Sequence, residues 1–406
     1  MSGIKITVKK INRKKIAVVT GSRAEYGLLR NLIKEINESD SLDLNLIVTG
    51  SHLSKEYGNT IDEISADGFN IDNKVMLDLN EDSEESVAKA ISLGISEITN
   101  IFANNKPDLA LILGDRYEIF SVAIAALICR LPVAHIHGGE RTEGVIDESI
   151  RHSITKMSHL HFTATEEYRK RVAQLGEKES TIYNVGAIGI DDIMQMKFLS
   201  KDEIEKKFEI NFNKRNLLIT FHPVTLDQDS SKGYLKNLLD VLLEQKDTTF
   251  IFTKANADME GKQINSQLEE FVRLNPKNSY IFPSMGRLNY LSTMLYVDGI
   301  LGNSSSGIIE APSMKVPTVN IGNRQKGRIM AKSVISCNHD SSSIRSALQK
   351  LFSLSFQQQA KSVINPYGEG GASKKIYDII KKTELDKALT KEFSDIQTHI
   401  YRDLNL

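Results

Sequence analysis

The chain has only two cysteines in 406 residues, Cys129 and Cys337, and no CxxC or Cys/His spacing of the kind that holds zinc. That speaks against a disulfide framework or a structural zinc module and fits a reducing compartment. Charge of one sign is also missing: 51 Lys and Arg stand against 52 Asp and Glu. Nothing in the bulk electrostatics calls for nucleic acid or an acidic membrane, and a small anionic ligand needs only local positive groups. No apolar run approaches the roughly twenty residues of a membrane span. The basic opening, MSGIKITVKKINRKK, lacks the apolar core and small-residue cleavage site of a secretory signal. Residues 1–14 are therefore read as a flexible basic leader, and the protein as cytoplasmic. Fixed-period repeats and a GxGxxG fingerprint are absent too.

What is present is an alternation of short β-branched apolar runs, small-residue turns and amphipathic segments, the mark of βα units building a parallel sheet. In the first half the runs are 15–20, 44–50, 108–114 and 132–138; in the second, 216–221, 248–253, 279–282, 298–302 and 317–322. Between them, Val87, Ile91, Ile95, Ile98 and Phe102 predict one helix face, with Asp82 and Glu85 in capping positions. The length suits two domains of about 150 to 200 residues each. The fold class expected is α/β, two Rossmann-like domains facing a central cleft: 15–190, then 191–372 as the nucleotide-binding domain. Polar helices from 373 to 406 are expected to pack back on the first domain.

In open parallel sheets ligands sit beyond the carboxyl ends of the strands, so the residues just past each run are the candidates. After the first come Gly21, Ser22, Arg23 and Gly27, a turn opening a helix that suits a phosphate or carries only a solvated arginine. After the third come Asp115 and Arg116, a catalytic or merely structural pair. After the fourth stand His135, His137, Gly138, Gly139 and Glu140, with Asp147, Glu148, Arg151 and His152 close behind. Acids and imidazoles crowded at one strand end can have their pKa values pushed apart for acid and base roles. The bland alternative is a helix start with Asp147–Arg151 and Glu148–His152 as i,i+4 pairs. A metal on His135 and His137 lacks a convincing third ligand.

In the second half His222 is held by the proline after it and is either packed or ligand-facing. The segment Gly302-Asn303-Ser304-Ser305-Ser306-Gly307 offers approachable amides and hydroxyls to a diphosphate, and Glu310 is placed to accept ribose hydroxyls. Arg324 offers one more phosphate or uracil partner.

Taken together, TGSRAEYG, VTGSHLSKEYGNT, GDR, HIHGGE, EGVIDESIRHSITK, HPVT, GNSSSGIIE and IGNRQ resemble, in order, the UDP-N-acetylglucosamine 2-epimerase family, in particular its hydrolysing, sialic-acid-pathway branch. The resemblance implies a glycosyltransferase-B type fold with the last helix crossing back. It places UDP contacts on Arg23, Gly27, Arg116, His222, Asn256, Ser304, Ser305, Glu310 and Arg324, and catalysis on Asp115, Asp147 and the segment holding His137 and Glu140; His222 is counted as catalytic as well, through the leaving diphosphate. Family members often read His-x-Glu where this chain has His137, so the acid-base role falls to His137 or Glu140. The expected reaction converts UDP-GlcNAc to ManNAc and UDP. The alternative substrate is UDP-N,N'-diacetylbacillosamine, on the way to legionaminic acid. No metal or nicotinamide cofactor is expected, and a homodimer or homotetramer is. A glycosyltransferase of the same fold and a non-catalytic UDP-sugar sensor are the more distant alternatives.

Overall fold

The computed structural model describes residues 13–54, 59–77, 83–142, 146–223, 231–255, 259–385 and 390–395. The chain divides into two compact units. The first comprises residues 1–140, 146–188 and 371–406; the second comprises 141–145 and 189–370. The leader lies outside the described residues up to residue 12, and the first strand begins at Lys14.

In the first unit seven strands form one sheet: β1 (Lys14–Thr20), β2 (Leu42–Thr49), β3 (Asn73–Val75), β4 (Leu109–Leu113), β5 (Val133–Ile136), β6 (Leu160–Thr163) and β7 (Ile182–Asn184). Their order is β3-β2-β1-β4-β5-β6-β7, and every pairing is parallel. The second unit holds β8 (Arg215–Thr220), β9 (Thr248–Thr253), β10 (Ser279–Phe282), β11 (Gly299–Gly302), β12 (Thr318–Ile321) and β13 (Val334–Cys337). Their order is β10-β9-β8-β11-β12-β13, again all parallel. Both sheets are thus wound in the Rossmann manner, with strand order reversing between β1 and β4 and between β8 and β11, the positions at which such sheets take their ligands. The two-domain Rossmann-like α/β class expected from the sequence is the one observed.

Period-two alternation explains why each sheet is covered on both faces. Along β1, Ile16 and Val18 enter the core that contains Leu29, Leu32 and Ile33, while Ala17 and Val19 enter the core with Ile98, Phe102 and Ile112. Along β8, Leu217 and Ile219 join Phe250 and Phe252 on one face, and Leu218 joins Ile251 and Ile300 on the other.

The nine apolar runs all became strands; β3, β6, β7 and β13 were not foreseen. Their sequences, NKV, LHFT, IYN and VISC, are short and carry polar residues, so no continuous apolar run marks them. The helix Glu84–Asn105 is capped by Ser83, whose Oγ accepts the Ser86 N–H at 3.2 Å. The helix Ala372–Lys382 returns to the first unit, where Ile376 and Ile380 join the same core as Leu29 and Ile33. Among the described residues no helix is long and apolar enough to cross a membrane.

Candidate functional site

In the first unit the candidate residues gather at the carboxyl ends of β1, β4 and β5. Ser22 caps the helix Arg23–Asn37 through the Glu25 N–H, 3.4 Å away, which places Arg23 in its first turn. Arg23 is half-exposed and pairs with Glu63 at 2.8 Å. A pair exposed to this degree contributes little, so a phosphate competes for Arg23 readily. At Gly27, one turn on, a Cβ would meet nothing within 4 Å, so packing does not require glycine there.

Gly114, at φ +82°, turns the chain after β4 and presents Asp115 and Arg116. Asp115 accepts from Arg151 Nε at 2.7 Å and is paired with the Nη2 of the same guanidinium. Arg151, 3% exposed, also donates to Glu148 at 2.7 Å and to the Glu140 carbonyl at 2.9 Å. It therefore locks the helix Ile146–Met157 to the end of β4. The expected Asp147–Arg151 pair is replaced by this arrangement, because the guanidinium turns inward to Asp115. The Glu148–His152 pair is present at 3.2 Å. Asp147 is partly buried, and its carboxyl is raised above the ordinary value by burial and then by the neighbouring Asp115 charge.

His135 and His137 have different fates. His135 is fully buried in β5, its Nε2 donating to the Gly114 carbonyl at 2.8 Å and its Nδ1 3.4 Å from the Thr155 hydroxyl. Burial lowers its pKa to about 3, so it is a neutral brace for the loop after β4. His137 lies past the strand end in a left-handed conformation, φ +69°, with Nδ1 3.3 Å from Glu140. The glycine between them and Glu140 is obligatory, since a Cβ at Gly139 would stand 2.5 Å from the Tyr168 carbonyl. His137 and Glu140 thus form a pair. Among the described residues no group of three or more His, Cys, Asp or Glu is disposed to hold a metal ion.

The second unit places its candidates at the ends of β8, β11 and β12. Asn303, 1% exposed, is the joint: its Oδ1 accepts the His222 N–H at 2.7 Å and its Nδ2 donates to the His222 carbonyl at 2.8 Å. Its own carbonyl accepts from Arg324 at 3.0 Å and Gln325 at 2.9 Å. Three loop segments are therefore tied through one residue, by its side-chain amide and its backbone carbonyl. The His222 imidazole is lowered to about 4 by burial and by Arg324, so it is neutral near pH 7. Ser304 and Ser305 follow, and the helix expected after them is one short turn, Ser306–Ile309. Glu310 ends that turn, accepting from Ser306 Oγ at 2.5 Å and from Arg287 at 2.9 Å. Asn256 lies outside the described residues.

Sequence reasoning missed four residues. Arg287 joins Glu310 to Asp192 at 2.7 Å and to the Gly189 carbonyl at 2.6 Å. Glu118 is buried against Arg116 at 3.0 Å. The sequence presents Arg151 as a local helix partner and Asn303 as one residue of the segment offered to a diphosphate, with no sign of the partners that each holds. Arg287, Arg151 and Asn303 act through partners distant in sequence, for which spacing gives no signal, and the Glu118–Arg116 contact is between residues two apart, which is not a helix-pair spacing.

The arrangement puts titratable groups at one sheet's switch point and hydroxyls, amides and an acid at the other's. Taken each by itself, the second set is of the kind a diphosphate and ribose ask for, and the first of the kind a proton transfer asks for. Comparison with known proteins bears on this directly. The family model described as UDP-N-acetylglucosamine 2-epimerase matches residues 34–381. The chain is 42% identical over 387 residues to the GDP/UDP-N,N'-diacetylbacillosamine 2-epimerase (hydrolyzing) of Campylobacter jejuni, covering 95% of this chain and all of that one. It is 37% identical over 372 residues to the UDP-N,N'-diacetylbacillosamine 2-epimerase (hydrolyzing) of Legionella pneumophila, covering 92% and 97%. Among solved structures, that of UDP-GlcNAc 2-epimerase from Neisseria meningitidis bound to UDP-GlcNAc superimposes with a TM-score of 0.79 at 21% identity, covering 91% of this chain and all of that one. On the match of its motifs, its fold and these relatives, the chain belongs to the UDP-N-acetylglucosamine 2-epimerase family.

Proposed function

We propose that the chain is a hydrolysing 2-epimerase: it expels UDP from a UDP-linked N-acetylated amino sugar and returns the free sugar inverted at carbon 2. The observation that carries the reading is the cluster of Asp115, Asp147, His137 and Glu140 past β4 and β5, in a chain whose relatives are named as hydrolysing epimerases.

The hydrogen on carbon 2 has no neighbouring carbonyl to acidify it, so departure of UDP from carbon 1 comes first. Arg23, Arg116, Ser304, Ser305, Arg324 and neutral His222 are assigned to the leaving diphosphate, where negative charge builds. Asn256 and Gly27 complete the nucleotide contacts, and Glu310 takes the ribose. Positive charge growing at carbon 1 loosens the carbon 2 proton, which passes to Asp115 or to the His137–Glu140 pair. Water then adds across the glycal-like intermediate with the aid of Asp147, whose carboxyl is raised above its ordinary value by burial and by the Asp115 charge, the direction that favours a proton donor.

Two substrates fit this chemistry. UDP-GlcNAc would give ManNAc for sialic acid synthesis. UDP-N,N'-diacetylbacillosamine, supported by the names of relatives at 42% and 37% identity, would give the precursor of legionaminic acid. A cytoplasmic homodimer or homotetramer accompanies the reading. Reaction in deuterated water should release free UDP without an acceptor and place one deuterium at carbon 2. Retention of the original hydrogen would overturn the elimination route, and kcat/KM on both UDP-sugars selects the substrate.

A further inference from the structure

Two buried acids stand beside the groups already described and take no part in that chemistry. Glu25 and Glu118, 6% and 1% exposed, lie in the first turns of the helices Arg23–Asn37 and Tyr117–Ile128. Arg116 is the cation beside them. Glu118 grips it with Nη2 to Oε1 at 3.0 Å and Nε to the two oxygens at 3.3 and 3.2 Å. Glu25 accepts the Gly21 N–H at 2.7 Å through Oε2. Its Oε1 is buried without a hydrogen-bond partner among the described residues and lies 4.0 Å from Arg116 Nε.

The walls around the pair are backbone. A Cβ at Gly21 would sit 3.3 Å from Glu25 Oε2, and one at Gly50 would sit 3.1 Å from Glu118 Oε1 and 2.5 Å from the Gly21 carbonyl. Both carboxyl side chains are almost wholly out of water, 7% exposed for Glu25 and 0% for Glu118. Glu25 occupies the third position of a helix cap, Ser22-x-x-Glu25, but a capping carboxylate is ordinarily ionised at the surface. Here an ionised Glu25 would add a second buried negative charge against one guanidinium, with one oxygen lacking any donor. The other charged group facing it is Asp115, already held by Arg151. From the turn after β2, His52 is neutral, lowered to about 4 by burial, with its ring between Thr20 and Thr60.

We propose that Glu118 and Glu25 are positioning residues for Arg116: Glu118 fixes the guanidinium, and Glu25 stands beside it as a neutral carboxylic acid, leaving the arginine's charge to a phosphate of UDP. This rests on the assignment of Arg116 to the nucleotide. Burial, and next the Glu118 charge, raise Glu25 to about 8. Above that value Glu25 ionises and competes with the phosphate for Arg116, so nucleotide affinity falls as pH rises through about 8.

The test is the UDP dissociation constant by titration calorimetry from pH 7 to pH 9, where the terminal phosphate is already ionised. Wild type should weaken by about tenfold across that range, as expected for one linked proton. Glu25→Gln, which has nothing to ionise, should change by less than about twofold. In Glu118→Gln the neighbouring charge is gone, so Glu25 ionises more easily and the fall in affinity moves below pH 8. If wild type fails to bind UDP at any pH, the nucleotide assignment fails. If wild type binds but both variants keep its pH profile, the nucleotide assignment stands and the role of the acid pair is overturned.

Discussion

Arg151 decides what the two aspartates are for structurally. Its guanidinium is buried and relies on Asp115 and Glu148 for counter-charge. Asp115→Asn removes one of them and leaves part of that charge uncompensated, which should cost about 2–3 kcal/mol. Asp147 is the opposite case. Burial and the Asp115 charge raise its pKa, so its ionised form works against the fold once pH exceeds the folded value, and neutralising it removes that penalty. Both variants should lose turnover. Scanning calorimetry at pH 7 should separate them: Asp115→Asn melts several degrees lower, while Asp147→Asn melts no lower than wild type. A matching drop in both would show that Asp147 is also a structural anion. The sequence exposed these acids because they follow apolar runs. It concealed Arg151, whose spacing to Asp147 imitates an ordinary helix pair while the real partner sits on another strand's end.

At the scale of elements, the strand-end loops of the second unit depend on how closely β8 and β11 approach. Gly302 has φ +134°, and a Cβ there would stand 1.9 Å from the Thr220 carbonyl, an overlap no small shift relieves. Gly302→Ala should therefore push apart the pairing that carries His222 and the serines, weakening UDP binding by more than tenfold. Asn303→Leu should do so without backbone strain, because it removes both bonds to His222 and leaves a buried N–H and carbonyl unpaired, at about 1–3 kcal/mol each. If UDP affinity survives either change, the serine loop is not the diphosphate cradle. The sequence made these strands legible because LLIT and GIL are continuous apolar runs, whereas β6 was hidden by His161. That histidine is buried because Glu177 pairs with it at 3.0 Å, a partner sixteen residues away that no periodicity announces. The same holds for the Asn303 amide, whose composition reads as a turn and whose partner lies 81 residues earlier.

The whole molecule is not two consecutive beads, since the first unit is completed by the end of the chain. Lys14, at the start of β1, donates to the carbonyls of Lys381 and Thr383, each at 2.7 Å, so β1 caps the helix Ala372–Lys382. Tyr377 meets Ser39 at 2.9 Å, and Lys391 donates to the Lys156 carbonyl at 2.7 Å and pairs with Glu177 at 2.8 Å. Ile376, Ile380 and Leu385 lie in the core under β1. Burying three such side chains stabilises by roughly 5–9 kcal/mol as an upper bound, comparable to the whole stability of a domain. A chain ended at Gly370 should therefore keep a folded second unit and lose the first. Amide hydrogen exchange reads the two separately: protection should persist in β8 and β11 and vanish from β1 and β4. Protection retained in β1 would mean that the returning helix is an ornament on a self-sufficient sheet. A milder variant, Ile376→Ala, should lower the first unit's stability by about 2–5 kcal/mol while leaving exchange in β8 unchanged, because that strand belongs to a separate core.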